Sequence, residues 1–127
     1  MSTKPVGSIG WIDLTIEDAP AIRDFYSAVV GWKSAELDMG GYPDFVLSRP
    51  GDDESVAGVC HARGGNAGLP PVWMIYIVVA DLDASLEQVR ARGGEVLSPV
   101  RKVGADRYAV IRDPAGAAAA LYQFAGA

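Results

Sequence analysis

The sequence has one cysteine and no long apolar or basic runs, and each shortage excludes a class of protein. With Cys60 alone among 127 residues, no disulfide forms within the chain, and a reducing cytoplasm is the expected location. The net charge is −5 and Lys and Arg are not clustered, so we expect no nucleic-acid partner. The longest apolar run, 73–80, is far shorter than the ~20 residues of a spanning helix, so we expect no membrane partner. The first residues, MSTKPVGS, also lack the apolar core of a signal peptide.

Two similar halves follow each other in the chain. Half of the residues are apolar and 21% are charged, which is typical of a globular protein. We interpret residues 1–127 as one domain with a module at 8–61, a Gly/Pro-rich linker at 62–71 and a second module at 72–124. Each module has the predicted order βαβββ, so the predicted fold class is α+β.

The first module begins with an alternating apolar strand at 9–16. Asp18 is a good helix N-cap, Pro20 suits the first helical turn, and Gly31 stops the helix at about Val30. Turn residues then separate the other strands of this module, which we predict at 32–38, 45–49 and 55–61.

The second module repeats this pattern from Trp73. Asp81 or Asp83 caps a helix that ends at Gly93 and Gly94. The two strands align with an offset of 62 when the Trp residues are matched, whereas the caps Asp18 and Asp81 give 63. The predicted strands are 73–79, 95–100, 106–112 and 117–124, with a tight turn at 113–116 before the last one.

With both modules placed, the chain resembles the vicinal oxygen chelate superfamily, which has the glyoxalase/bleomycin-resistance fold. The spacing from Asp18 through Phe25 and Tyr26 to Gly31 is similar to the first-helix signature of that family, and Asp113-Pro114-x-Gly116 to its final turn. The resemblance covers about residues 8–124. It implies that two βαβββ modules form a curved sheet with a cleft between them, and that the protein is a homodimer.

Metal-dependent members of this family place His, Glu or Gln ligands at four strand positions. In this chain those positions fall on Trp11, near Gly58, on Trp73 and near Ala120, and none of these side chains binds a divalent cation. His61 is the only histidine, and we interpret it as a surface or strand-end residue. We therefore predict no metal and no other cofactor, and we do not expect the metal-dependent activities of the family.

The predicted ligand site is aromatic and apolar. Trp11 and Trp73 would offer one indole from each module to a planar ligand, although both indoles could equally fill space in the core. The predicted ligand-binding residues are Trp11, Asp13, Val56, Gly58, Cys60, Trp73, Ile75, Ala120 and Tyr122.

Three polar residues of this site have open alternatives. Asp13 shares the face of Trp11 and is the candidate general base or cation partner, or else a solvated or paired structural residue. Tyr122 orients a ligand or belongs to the core, and Cys60 is interpreted as a small buried residue. The faces of Tyr108 and Arg112 are ambiguous.

The leading prediction is a metal-independent protein of the bleomycin-resistance type. It would bind a planar or aromatic small molecule such as an antibiotic. The first alternative is a metal-free isomerase, lyase or hydrolase in which Asp13 is the general base, and the second is a regulatory module for a host metabolite. Fold alone does not choose among these functions.

Overall fold

The computed structural model describes residues 2–126 and divides them into two compact units. The N-terminal unit is Ile12–Trp73. The C-terminal unit contains the residues up to Trp11 and those from Met74 onward. The boundaries therefore fall within the first strand of each predicted module.

The N-terminal unit is a helix packed on a four-stranded sheet. The strand order is β2-β3-β4-β1, in which β1 and β4 are parallel and the other neighbours are antiparallel. The elements are β1 (Ile9–Ile16), α1 (Ala19–Val30), β2 (Lys33–Asp38), β3 (Pro43–Ser48) and β4 (Ser55–His61).

The C-terminal unit repeats this arrangement. Its strand order is β5-β9-β8-β6, with β7 also paired to β8, and β5 runs parallel to β9. The predicted α+β fold with two βαβββ modules is thus confirmed, with one strand of the second module divided in two. The elements are β5 (Trp73–Val78), α2 (Leu82–Ala91), β6 (Glu95–Val96), β7 (Arg101–Val103), β8 (Asp106–Arg112) and β9 (Ala118–Gln123).

Both helices begin at predicted N-caps, and α1 ends at the predicted Gly31, whereas the C-cap of α2 is Arg92 and not the predicted Gly93. The Asp18 side chain accepts a hydrogen bond from the backbone N–H of Ala21 at 3.2 Å, and Asp81 accepts one from Ala84 at 3.1 Å. Of the two candidates for the second cap, the structure therefore selects Asp81. Gly31 ends α1 with a φ of 84°, a left-handed conformation that favours glycine.

Of the predicted strand at 95–100 only Glu95–Val96 is a strand, and β7 at Arg101–Val103 lies beyond the predicted bounds. Pro99 has no backbone N–H to continue the ladder. The buried hydroxyl of Ser98 instead accepts the backbone N–H of Val110 at 2.9 Å and donates to the Pro99 carbonyl at 3.0 Å. A side chain thus replaces a strand–strand hydrogen bond at this point.

The hydrophobic core of each unit lies between its helix and its sheet. Leu47 and Val59 are fully buried under α1, and Leu82 of α2 is fully buried against β8 and β9. Burial of each such side chain contributes about 1.5–3 kcal/mol. Within residues 2–126, no helix is long and apolar enough to cross a membrane.

Candidate functional site

In the N-terminal unit, the Asp13 carboxylate lies over Gly58. The two residues are paired across the parallel strands β1 and β4. A β-carbon at residue 58 would overlap Oδ1 of Asp13, so the carboxylate occupies the space that a side chain would fill. Trp11 is half-buried and belongs to the C-terminal unit. Asp13 and Gly58, which were predicted separately as ligand-binding residues, are therefore brought together.

Cys60 is half-buried, lies on the same face as Gly58 and is near the carboxylates of Asp13 and Asp44. Burial raises the pKa of the Cys60 thiol, and the nearby charges of Asp13 and Asp44 raise it further. The thiol is thus kept protonated. This agrees with the interpretation of Cys60 as a residue that is not a nucleophile.

Asp44 is a buried carboxylate that the sequence did not single out. It is 5% exposed, and its Oδ1 accepts the backbone N–H of His61 at 2.9 Å. The same oxygen lies 3.4 Å from Nδ1 of His61, whose ring packs edge-on against Tyr42. His61 stands at the end of β4, as predicted, where it is held by Asp44.

Trp73 and Val56 do not lie on the face of Asp13, and their predicted positions are wrong. The Trp73 Nε1–H donates to the Tyr26 hydroxyl of α1 at 3.2 Å, and its ring packs edge-to-face on Tyr26. Val56 has no partner on β3 because the pairing shifts between Leu47 and Ser48. That β-bulge turns Val56 towards the core, where it packs together with Trp73.

Ile75 is also wrongly placed in the predicted site. It alternates with Ile77, which packs against the core under α2. Ile12 of β1 packs against the core under α1, so Ile12 and Ile75 correspond with an offset of 63. The offset given by the caps therefore applies to the strands as well, and Met74, not Trp73, is the counterpart of Trp11.

In the C-terminal unit, Ala120 and Tyr122 lie on the sheet face opposite α2, since the alternate residue Leu121 packs in the core under α2. Tyr122 is paired with Tyr108 across β8 and β9, and their rings stack at 6.1 Å with an interplanar angle of 14°. Tyr76 is paired with the fully buried Ala120, and its ring lies 5.7 Å from that of Tyr108. We call Tyr76, Tyr108 and Tyr122 the tyrosine face.

Asp106 holds Tyr122 in place. The Tyr122 hydroxyl donates to Oδ2 of Asp106 at 2.7 Å, and the backbone N–H of Ala125 donates to Oδ1 at 2.7 Å. Burial and this hydrogen bond raise the pKa of Tyr122, so its phenol stays neutral. Those two donated hydrogen bonds, with that from Tyr122 the larger, lower the pKa of Asp106. Tyr122 therefore presents a fixed ring whose hydroxyl is already engaged.

Sequence reasoning missed Tyr76 and left Tyr108 unassigned. Tyr76 alternates with Ile75 along β5, and the offset of 63 brings the face of Tyr76 into the site. The face on which Tyr108 lies depends on the pairing of β8 with β9, which the sequence does not specify. The other ambiguous residue, Arg112, forms an ion pair with Glu95 at 2.9 Å.

The donor groups of this chain do not fit a divalent metal ion. Among residues 2–126 no group of three or more His, Cys, Asp and Glu side chains is arranged to hold one. The resemblance implied ligand positions on Trp11, near Gly58, on Trp73 and near Ala120, and the corrected offset replaces Trp73 with Met74. Indole, thioether and aliphatic groups do not suit a hard divalent cation.

An apolar groove of about 540 Å³ lies beside α2, away from these residues. Its walls include the core residues Val79 and Leu121. Asp81 on its rim caps α2, and Asp113 accepts the backbone N–H of Ala115 at 2.8 Å. Because these polar groups already serve the local fold, the groove is not our candidate site.

Comparison with known proteins supports a family assignment. The family model described as Glyoxalase/Bleomycin resistance protein/Dioxygenase superfamily matches residues 8–121. "Putative glyoxylase CFP32" of Mycobacterium bovis is 34% identical over 119 residues, which are 92% of this chain and 46% of that protein. "Anthracycline biosynthesis protein DnrV" of Streptomyces peucetius is 34% identical over 133 residues, covering 92% of this chain and 47% of that protein. This chain thus spans about half the length of these relatives.

Solved structures share the fold at lower identity. Methylmalonyl-CoA epimerase from Mycobacterium tuberculosis superposes with a TM-score of 0.60 and 18% identity, covering 98% of this chain and 93% of that one. The Mn(II)-bound glyoxalase from Novosphingobium aromaticivorans gives a TM-score of 0.57 and 19% identity, covering 93% and 39%. At these identities the likeness concerns the fold alone.

Proposed function

Because the chain belongs to the Glyoxalase/Bleomycin resistance protein/Dioxygenase superfamily, we propose that it binds a planar aromatic small molecule on the tyrosine face without a resident metal ion. The observation that carries the proposal is the stack of Tyr108 on Tyr122, with Tyr76 beside it. Tyr76 and Tyr108 are half-buried, so part of each ring is open to a ligand. Ala120 next to Tyr76 adds no bulk to this surface.

The chemistry of the tyrosine face suits a flat polycyclic ligand. Aromatic rings bind planar ligands by offset or edge-to-face stacking, and small-molecule sites are mostly apolar with few polar groups. A relative is named for anthracycline biosynthesis, and anthracyclines contain a planar fused-ring system. We propose the same ligand class, planar fused-ring compounds, for the present chain. The ligand could then be an antibiotic with such rings, and the protein would act in resistance to it. Trp11, in the same unit, is the predicted additional aromatic contact.

Anthraquinone-2-carboxamide is a suitable probe, with binding followed by quenching of intrinsic fluorescence. We expect Tyr108→Leu to weaken binding about two- to tenfold, because one aromatic contact contributes about 0.5–1.5 kcal/mol. Phe25→Leu is the matched control, since Phe25 is 54% exposed on α1 and outside the tyrosine face. Dialysis against EDTA should leave the affinity unchanged. Failure of the wild-type protein to bind this probe and other planar aromatics would overturn the proposal.

We also propose that the chain acts as a homodimer, which sedimentation equilibrium with and without the probe would measure. A mass of one chain under both conditions would contradict it.

A metal-free enzyme remains the second candidate because of the position of Asp13. Its carboxylate stands over a glycine, where no side chain at residue 58 separates it from the neighbouring strand. A carboxylate held in this way can accept a proton from a bound substrate. Mass spectrometry of each bound compound should then show conversion, and Asp13→Asn should abolish conversion while affinity is retained. Recovery of every bound compound unchanged would favour the binding protein.

A further inference from the structure

The apolar groove beside α2 has one side of that helix as a wall. Its lining residues on α2 and at the helix caps recur every three or four positions, so they lie on one side of the helix. Ala84 and Gln88 are exposed, so this side of α2 is open to solvent. We call these residues the α2 stripe, which in chain order consists of Asp81, Ala84, Ser85, Gln88, Val89 and Arg92.

The α2 stripe is complementary to itself when two copies lie antiparallel. The acid at its start then meets the arginine at its end, and the residues between them pair apolar with apolar and polar with polar. Both members of each pair are equally distant from the middle of the stripe, so all pairs form in a single register. The pairs are Asp81 with Arg92, Ala84 with Val89, and Ser85 with Gln88. A two-fold symmetric interface requires a surface of this kind.

We infer that the chain forms its homodimer through α2, with the α2 stripe of one protomer lying antiparallel on that of its partner. The inference rests on the homodimer proposed above. Ile111 and Leu121 of the core under α2 also form part of the groove. A partner helix over the groove would remove apolar surface from water, which favours association. The small side chains of Ala84 and Ser85 allow the two helices to approach closely.

Both charged residues of the stripe can pair with the partner. Nε of Arg92 donates to the amide oxygen of Gln88 at 2.9 Å, and this neutral acceptor does not compensate the positive charge. Oδ1 of Asp81 accepts the backbone N–H of Ala84 at 3.1 Å, and the second oxygen of a carboxylate can accept from a guanidinium. The contact with Gln88 thus holds the guanidinium of Arg92 along the stripe.

Two other charged groups lie near the stripe, and each is held by contacts of its own. The negative charge of Asp81 also acts on Arg107, but the guanidinium of Arg107 donates to both oxygens of Asp83, at 2.8 and 3.3 Å. Asp113 lines the groove from the turn after β8 and accepts two backbone N–H groups of that turn, at 2.8 and 3.1 Å. Pairing of Asp81 with the partner's Arg92 is therefore the charge interaction that the stripe itself offers.

Arg92→Glu tests the interface, because it places an acid opposite Asp81 of the partner subunit. We expect the dissociation constant of the dimer to rise about tenfold or more, since like charges brought together oppose association. Sedimentation equilibrium over a range of protein concentrations measures this constant.

Arg90→Glu is the matched control. It makes the same change of charge at an exposed residue in the last turn of α2 that does not line the groove. The dissociation constant of the dimer should stay within about twofold of the wild-type value. Thermal unfolding of each variant verifies that it is folded.

Asp81→Asn should rescue the Arg92→Glu variant. Asn caps a helix about as well as Asp, so the substitution removes the opposing acid and retains the start of α2. We expect the double variant to dimerise about threefold or more tightly than Arg92→Glu alone.

The outcomes separate this inference from the homodimer on which it rests. If Arg92→Glu dimerises as well as Arg90→Glu, the dimer forms through another surface, and the α2 interface is overturned while the homodimer stands. Failure of Asp81→Asn to recover any affinity overturns the antiparallel pairing of the stripes. If the wild-type protein has the mass of one chain at every concentration, the proposed homodimer itself fails, and this inference fails with it.

Discussion

The Asp13 carboxylate occupies the space in which a side chain at Gly58 would stand. A β-carbon at residue 58 would overlap Oδ1 of Asp13 and lie 3.3 Å from its Cγ. The carbonyl oxygen of Phe45 is 3.5 Å away on the other side. The parallel pairing of β1 with β4 therefore combines a carboxylate at residue 13 with a glycine at residue 58.

Gly58→Ala should lower the free energy of unfolding by about 1–3 kcal/mol, because the new methyl group displaces the carboxylate or separates the strands. Shortening the side chain in Asp13→Ala makes room for that methyl group. The cost of Gly58→Ala should therefore be smaller in the Asp13→Ala background, and urea unfolding of the four proteins measures the coupling.

Gly51→Ala is the control for this cycle, since nothing lies within 4 Å of a β-carbon there. It should change stability by about 0.5 kcal/mol or less. Strictly additive effects of the Asp13 and Gly58 substitutions would show that the two side-chain positions do not compete for space.

Trp73 should matter for stability and not for ligand affinity. Its ring packs on Tyr26 at 5.1 Å and on Trp32 at 6.0 Å, on the helix side of the N-terminal unit. Trp73→Ala should cost about 3–5 kcal/mol in urea unfolding. Trp73→Phe should leave the affinity for anthraquinone-2-carboxamide unchanged, whereas Trp11→Ala should weaken it.

Tyr26→Phe tests the hydrogen bond within this aromatic cluster. It removes the acceptor of the Trp73 Nε1–H at 3.2 Å and should cost about 0.5–1.5 kcal/mol. No change in stability would show that solvent accepts that N–H equally well. Weaker binding of anthraquinone-2-carboxamide by the Trp73→Phe variant would show that Trp73 belongs to the ligand site.

Stability on the acid side should depend on Asp106. Hydrogen bonds from Tyr122 and the Ala125 N–H lower the pKa of Asp106 in the folded protein. The unfolded chain then binds a proton at Asp106 before the folded protein does, near its ordinary pKa of about 3.9. The stabilisation is therefore present above that pH and is lost as the pH falls through the pKa of the folded state.

Asp106→Asn should consequently unfold with a weaker dependence on pH below about 4 than the wild-type protein. Tyr122→Phe removes the larger cause of the shift and should also reduce this dependence. Urea unfolding at neutral and acidic pH measures both. Equal slopes for all three proteins would contradict an effect of Asp106.

The Cys60 thiol should be unreactive in the folded protein. Burial raises its pKa, and the Asp13 and Asp44 carboxylates add to this effect, so little thiolate forms near neutral pH. Labelling with a disulfide reagent should be slow in buffer and complete in urea. Rapid labelling without denaturant would show that the thiol is open to solvent.

Local chemistry determined the helices, because each cap is a contact between near neighbours. Asp18 and Asp81 accept N–H groups three residues ahead, and Gly31 takes the left-handed conformation. Asp113 likewise forms the last turn by accepting the N–H groups of Ala115 and Ala117. Interactions between residues this close in the chain can be predicted from the sequence.

The candidate site depended on contacts between distant strands. Trp73 and Val56 have the alternation expected of site residues, yet a hydrogen bond to α1 and a β-bulge place them on the other side. A register shift of one residue exchanges the two faces of a strand. Matching Trp11 with Trp73 gave an offset of 62 instead of 63, and this assigned the residues of β5 to the wrong face.

The sequence by itself determined the two βαβββ modules and the N-caps of their helices. Tertiary structure decided which residues share a face: Asp13 with Gly58, and Tyr122 with Tyr76 and Tyr108. The reason is physical. Caps and turns are satisfied within a few residues, whereas strand register is set by packing and hydrogen bonds between segments far apart in the chain.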